Sequence, residues 1–263
     1  MTGPATNVRP GRVYLIGAGP GDPELLTLKA ARLLASADVV LHDDLVTPAV
    51  LAHAERALVI NVGKRCGHKN VTQEQIDAMM VDYARRGMSV VRLKSGDPLV
   101  FGRAGEEMDA LRAADLGFEV VPGITAAFAA AAAIQRPLTD RRGGSSIAFS
   151  SGHHAAGSPL EPASLRGATR VVYMPGRNLS DVAAQLRAEG LPPELPCAVV
   201  SRAAQSDQQV VHTTLAHLAG VAPGPAPAIL LAGEALRDPK GGEIERLTAS
   251  AVTGAAAGQT AEV

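Results

Sequence analysis

Cysteine is scarce in this chain: Cys66 and Cys197 are the only two among 263 residues. Neither sits in a C-x-x-C or zinc-like spacing, which argues against a disulfide framework and against a cysteine-based metal site, so both read as reduced, unligated thiols and no metal is expected. An excess of charge is also lacking. With 25 Lys+Arg against 26 Asp+Glu, no global field favours nucleic acid or an anionic membrane, and any anionic ligand has to be met by a local cluster of cations. The longest apolar run, Ala126 to Ile134, is too short to span a bilayer, and the opening MTGPATNVRPG has neither the basic start nor the apolar stretch of a secretory signal. A cytoplasmic location is therefore expected. There is no internal repeat.

What is present is enough apolar material for a sizeable core, 46% of the residues, arranged in an α/β pattern. Short β-branched runs recur at Val13 to Ile16, Val39 to Leu41, Leu58 to Val62, Val90 to Leu93 and Phe118 to Val121, with helix-like segments between several of them. Asp22, Pro23 and Glu24 suit the start of a first helix. Thr72-Gln73-Glu74-Gln75 is a capping box for another, which carries Ile76, Met79, Met80 and Tyr83 on one face until Gly87 stops it. The character changes after Pro122-Gly123, where an alanine-rich segment precedes a Gly/Ser-rich loop and a second strand set at Ser146 to Phe149, Arg170 to Tyr173, Ala198 to Ser201 and Ala228 to Leu231, with a helix around Ser180 to Glu189. Two α/β domains are expected, 12–122 and 123–247, with a ligand cleft between them and disordered tails at 1–11 and 248–263.

The stretch GAGPGDPELL, from Gly17, begins like a dinucleotide-binding turn. Asp22, however, stands where the third glycine of G-x-G-x-x-G belongs, and Pro20 removes an amide donor and fixes φ. A carboxylate at the helix start and a missing N–H are poor company for a pyrophosphate, so a nicotinamide-dependent dehydrogenase is disfavoured.

Three further stretches, GKRCGHKNVTQEQI from Gly63, VVRLKSGDPLVFGRAGEE from Val90 and VVPGITAAFAAAAAIQRPLTDR from Val120, stand in register with that loop. Together the four resemble the uroporphyrinogen-III C-methyltransferase family of tetrapyrrole methylases, over about Val13 to Arg237. The resemblance implies two α/β domains of tetrapyrrole methylase type, usually as a homodimer. It implies transfer of methyl groups from S-adenosylmethionine to two pyrrole carbons of uroporphyrinogen III, giving precorrin-2 for sirohaem and cobalamin synthesis, with S-adenosylhomocysteine as the other product. A sister precorrin methylase is the alternative closest to it. A regulatory module that only senses the donor is a further one.

By family position, Pro20, Ser95, Gly96, Asp97, Val100, Thr125, Ala126, Met174 and Ala203 would form the donor pocket. The chemistry agrees, since a sulfonium calls for carbonyl and carboxylate oxygens and no buried cation beside the sulfur. Gly96-Asp97-Pro98 also fits a plain turn, Thr125 a helix N-cap, and Met174 and Ala203 core packing. Methylation of a pyrrole carbon must end with loss of a proton, and Asp43 and Lys64 occupy the family's candidate base and acid positions. Asp43 is equally suited to a turn, and Lys64 to clamping a substrate carboxylate. The acetate- and propionate-bearing acceptor needs cations, for which Arg65, Lys94, Arg103, Arg141 and Arg142 are candidates, with His153 as a polar contact. The sequence departs from the family pattern at Ser95, Leu99, Ala104, Asp44 and Asp140, which bears on the acceptor more than on the donor.

Overall fold

The computed structural model describes residues 11–63, 71–142, 144–152 and 167–237. The first half runs β1 (Val13–Gly17), α1 (Leu28–Ser36), β2 (Val39–His42), α2 (Pro48–Leu51), β3 (Leu58–Asn61), α3 (Gln73–Arg85), β4 (Val90–Lys94), α4 (Ala104–Ala113) and β5 (Phe118–Val121). Its strands form one parallel sheet in the order β3-β2-β4-β1-β5. Parallel strands covered on both faces are mostly apolar, and β2 and β4 are buried at every residue, Arg92 and Lys94 of β4 included. Ile16, Val40, Val91 and Leu93 pack under α1 and α2. Val13, Leu15, Val39, Leu41 and Val90 pack against Ile76 and Met80 of α3 and Leu111 of α4.

The second half comprises α5 (Ala126–Ala133), β6 (Ile147–Ser151), β7 (Thr169–Tyr173), α6 (Ser180–Ala188), β8 (Pro196–Ser201), β9 (Gln209–Thr214) and β10 (Ala228–Ala232). Its sheet has the order β6-β7-β10-β8-β9, with β6 and β7 parallel and the other pairs antiparallel. The alanine-rich α5 covers one face and α6 the other. Small side chains let α5 lie close to the sheet, and α5 belongs to the core of this second sheet.

Local signals explain most element boundaries. The Thr72 capping box is complete, with Thr72 Oγ1 accepting from Gln75 N at 3.3 Å and Gln75 Oε1 accepting from Thr72 N at 2.9 Å. The expected role of Asp22 needs correcting. Its carboxylate accepts from Glu24 N at 2.9 Å and caps only a 3-10 turn, Pro23–Leu25, after which Leu26 turns extended. Thr27 caps α1 instead, accepting from Ala30 N. Two elements escape the sequence patterns. The N-cap of α4 is Arg103 at φ 56° with no side-chain cap bond, and β9 is a half-exposed edge strand after a polar loop. Of the expected tails, 1–10 and 248–263 lie outside the described residues, whereas Gly11 donates to the Ala84 carbonyl at 2.8 Å.

Candidate active site

The carboxyl ends of β2 and β4 and the loop after β1 meet the start of α5 and the ends of β7, β8 and β10 around one cavity of about 210 Å³. Ligands of open parallel sheets bind outside these strand ends. Pro20, Ser95, Gly96, Asp97, Val100, Thr125, Ala126, Met174 and Ala203 all line the cavity, as does Asp43. The structure thus gathers every sequence-derived donor candidate, from positions 20 to 203, into one place.

Backbone packing accounts for the glycines of the opening loop. Gly19 and Gly96 exchange two hydrogen bonds, Gly19 N to Gly96 O at 3.1 Å and Gly96 N to Gly19 O at 2.8 Å. A Cβ on Gly123 would lie 2.3 Å from the Gly96 carbonyl oxygen, and one on Gly17 would lie 2.6 Å from Gly123 Cα. Three loops are pressed backbone to backbone, which only glycine allows. Asp97 ties them further: its Oδ1 accepts from Leu99 N at 2.8 Å and its Oδ2 from Gly123 N at 3.0 Å.

Side chains of the second half close the cleft. The Thr125 and Tyr173 hydroxyls are 2.5 Å apart, and burial pushes the Tyr173 phenol above its ordinary value, against the pull of the Thr125 hydrogen bond. The Tyr173 ring meets Phe101 at 4.9 Å between centroids and Phe149 at 5.8 Å. Gln205 donates to the Pro20 carbonyl at 3.1 Å. Phe101, Arg103, Met174, Arg202 and Ala204, five of the seven non-glycine residues at positive φ among the described residues, sit in these cleft loops. Such backbone is costly and concentrates where the surroundings dictate it.

Beneath Asp43 lies a buried charge cluster. Arg92 and Lys94 alternate with apolar residues along β4 and so point to the same face, toward α3 and α4. Both are received by Glu107 of α4, whose Oε1 accepts from Arg92 Nε at 2.8 Å and from Lys94 Nζ at 2.9 Å. Arg92 Nη2 reaches forward to the carboxylate of Asp43. Exposures of 0% for Glu107, 3% for Arg92 and 2% for Lys94 make these three dry, while Asp43, 31% exposed, is the end of the network that meets the cleft. Burial opposes the Arg92 charge, but Asp43 and Glu107 outweigh it and its pKa stays above the ordinary arginine value. Burial, with Arg92 alongside, lowers the pKa of Lys94.

The candidate acceptor cations are dispersed. Lys94 does not face the cleft; it is committed to Glu107 in the interior, because a cation in a buried strand requires a counter-charge. Exposed Arg103 pairs with Glu106 at 2.6 Å, and exposed Arg142 pairs with Asp140 at 2.6 Å. The side chain and then the backbone N–H of Arg142 hold Asp140 at about 2, well below the carboxylate range. Arg141 is exposed. Lys64, Arg65 and His153 lie outside the described residues. Among the described residues no group of three His, Cys, Asp or Glu is placed to hold a metal. Glu107, Phe101 and Tyr173 were missed as site residues. Two cations spaced two apart in an otherwise apolar strand are the signal that calls for an acid such as Glu107.

The family of tetrapyrrole (corrin/porphyrin) methylases matches residues 12–219 of the chain. The uroporphyrinogen-III C-methyltransferase of Pseudomonas aeruginosa is 45% identical over 233 residues, covering 87% of this chain and 95% of the relative. The S-adenosyl-L-methionine-dependent uroporphyrinogen III methyltransferase of Methanosarcina barkeri is 44% identical over 236 residues, 85% of this chain and 91% of the relative. The crystal structure of uroporphyrin-III C-methyltransferase from Thermus thermophilus, complexed with S-adenosylhomocysteine, superposes with a TM-score of 0.76 at 42% identity over 86% of this chain and 99% of that one. With that cleft, that pair of sheets and these relatives, the chain belongs to the uroporphyrinogen-III C-methyltransferase family of tetrapyrrole methylases.

Proposed function

We propose that this protein transfers methyl groups from S-adenosylmethionine to two pyrrole carbons of uroporphyrinogen III, giving precorrin-2 and S-adenosylhomocysteine. The observation that carries it is the charge of the cleft. Its lining includes two carboxylates, Asp43 and Asp97, and no lysine, arginine or histidine among the described residues. Such a lining suits a sulfonium and repels a pyrophosphate. A Cβ on Gly96 would enter the space between the two loops, 3.9 Å from Ala126 N and from Thr125 Cα, so the missing side chain leaves a cradle at the backbone.

The donor, when bound, supplies an electrophilic methyl group. The chain supplies the rest. Gly96, Thr125 and Ala126 offer backbone edges to hold the donor, and Met174 and Ala203 cover its apolar parts. Asp43, at the carboxyl end of β2, takes the proton that the methylated ring system must lose. Lys64 is assigned as proton donor or clamp. Cations hold the anionic acceptor, and Arg65, Arg103, Arg141, Arg142 and His153 are the candidates; Lys94 is withdrawn from that set.

The same reading divides the chain into domains at 12–122 and 123–247, supported by the packing of α5 with the second sheet. It makes the enzyme a homodimer in the cytoplasm, the dimer resting on the family resemblance. No described helix is long and apolar enough to cross a membrane. Titration calorimetry with S-adenosylhomocysteine and with NAD, followed by an anaerobic assay with uroporphyrinogen III, tests the proposal. Binding of the homocysteine, no heat with NAD, and formation of precorrin-2 are expected. Methylation only of a later corrin precursor would transfer the activity to a sister methylase, and NAD binding alone would overturn the proposal.

A further inference from the structure

We infer that Arg92, braced by Glu107, is a positioning residue that aims the Asp43 carboxylate at the proton it removes. The inference rests on Asp43 being the proton acceptor and adds the device that governs it.

The guanidinium of Arg92 is clamped on each nitrogen. Nε donates to Glu107 Oε1 at 2.8 Å, Nη1 faces the Leu93 and Leu41 carbonyls at 3.3 and 3.4 Å, and Nη2 donates to Asp43 Oδ1. A planar fork fixed on three sides holds the partner carboxylate in one orientation, which an ammonium on a flexible stem cannot do. Oδ1 of Asp43 is thereby engaged from inside the protein, and Oδ2 is the oxygen left to meet a proton from the cleft. Glu107 sets the clamp, because its buried Oε1 gathers Arg92 and Lys94 together.

Arg92 and Lys94 face two carboxylates, Asp43 and Glu107. When the methylated ring system loses its proton, a C–H bond breaks, its electron pair returns to the π-system, and an O–H bond forms on Asp43. Stability alone does not account for the cluster, since a buried ion pair is commonly no more stabilising than apolar residues of the same volume; Gln73 of α3 donates to Glu107 Oε1 at 3.5 Å, and Val90, Ile76, Met80 and Leu111 on the same face are apolar.

A double-mutant cycle decides the matter. Arg92→Lys keeps the charge and loses the fork; Glu107→Gln keeps the shape and loses the brace. Each should lower kcat on the order of ten- to a hundredfold, as misalignment of a reacting group does, with acceptor KM and S-adenosylhomocysteine affinity held within about twofold. Each should cost nothing further in an Asp43→Asn protein. Should Asp43→Asn alone turn over at the wild-type rate, the assignment of the base fails, and this inference with it. If Asp43→Asn is slow and Arg92→Lys lowers its rate again by the full factor, the base stands and the positioning role is overturned. Wild-type kcat in both single variants would also overturn it, as would failure of both to yield a folded, homocysteine-binding protein, which would make the cluster a structural anchor.

Discussion

The carboxylate of Asp97 accepts from the backbone N–H of Gly123 at 3.0 Å, joining the turn after β4 to the turn after β5. Its other oxygen accepts from Leu99 N, so each carboxylate oxygen is held by one backbone amide and keeps acceptor capacity toward the cleft that Asp97 lines. Asp97 therefore shapes the donor cradle.

Asp97→Ala should accordingly lose stability and donor affinity together. Leaving the Leu99 and Gly123 amides without acceptors is expected to cost about 1–3 kcal/mol in urea unfolding if they stay shielded from water. Calorimetry with S-adenosylhomocysteine should show weaker binding in the protein that remains folded. Lower stability at undiminished affinity would confine Asp97 to bracing the loops.

Gly96 and Gly123 separate the two effects. Gly96 holds φ +67°, and a Cβ there meets nothing closer than 3.9 Å, so Gly96→Ala should fold with a left-handed-backbone cost of about 1–2 kcal/mol. Its added methyl occupies the cradle, and donor affinity should fall well beyond what the stability loss explains. Gly123→Ala puts a methyl against the Gly96 carbonyl and should lower the melting temperature more than Gly96→Ala does. Equal homocysteine affinity in wild type and Gly96→Ala would remove the donor from this cradle.

How far the sequence could be read follows from the kind of signal each residue carries. The strands of the parallel sheet are mostly apolar and stood out as β-branched runs, and the Thr72 box states its helix start chemically. The α1 start was misplaced because Asp22 and Thr27 are both good caps five residues apart, and the intervening 3-10 turn is settled only by packing. The donor candidates came from the family resemblance, and the structure brings them around one cavity. Lys94 was assigned to the acceptor as one of the cations that an anionic ligand needs. Its side chain, however, follows the alternation of β4 and turns inward with Arg92. The contacts of Phe101 with Tyr173, and of Gln205 with Pro20, join the two sheets across long sequence separations and leave no local pattern.

Cys197 lies buried on β8 as a free thiol, and burial pushes it up to about 12. In a Cys66→Ala protein, a thiol reagent at pH 8 should therefore label nothing until denaturant is added. The linkage has a definite sign. The folded-state pKa is raised above the ordinary 9.0, so the unfolded chain releases the proton first, and stability falls as pH rises from about 9 toward 12. Cys197→Ala should flatten that part of the stability curve relative to its parent. Rapid labelling of the native protein would contradict the burial.

Asp43 and Lys64 bear most directly on the chemistry. Asp43→Asn keeps the shape of the side chain but removes both the base and one of the two anions facing Arg92 and Lys94. Turnover should fall by about a hundredfold or more, the usual scale of general base catalysis, while homocysteine affinity stays near wild type. Some stability should be lost as well, because two buried cations then share Glu107 alone; circular dichroism and homocysteine binding must first establish that the variant is folded. Lys64→Met distinguishes two roles by where the loss appears. A clamp on an acceptor carboxylate raises KM with kcat nearly unchanged, whereas a proton donor lowers kcat and kcat/KM together. A folded Asp43→Asn enzyme that forms precorrin-2 at the wild-type rate would pass the proton to water or to a carboxylate of the acceptor itself.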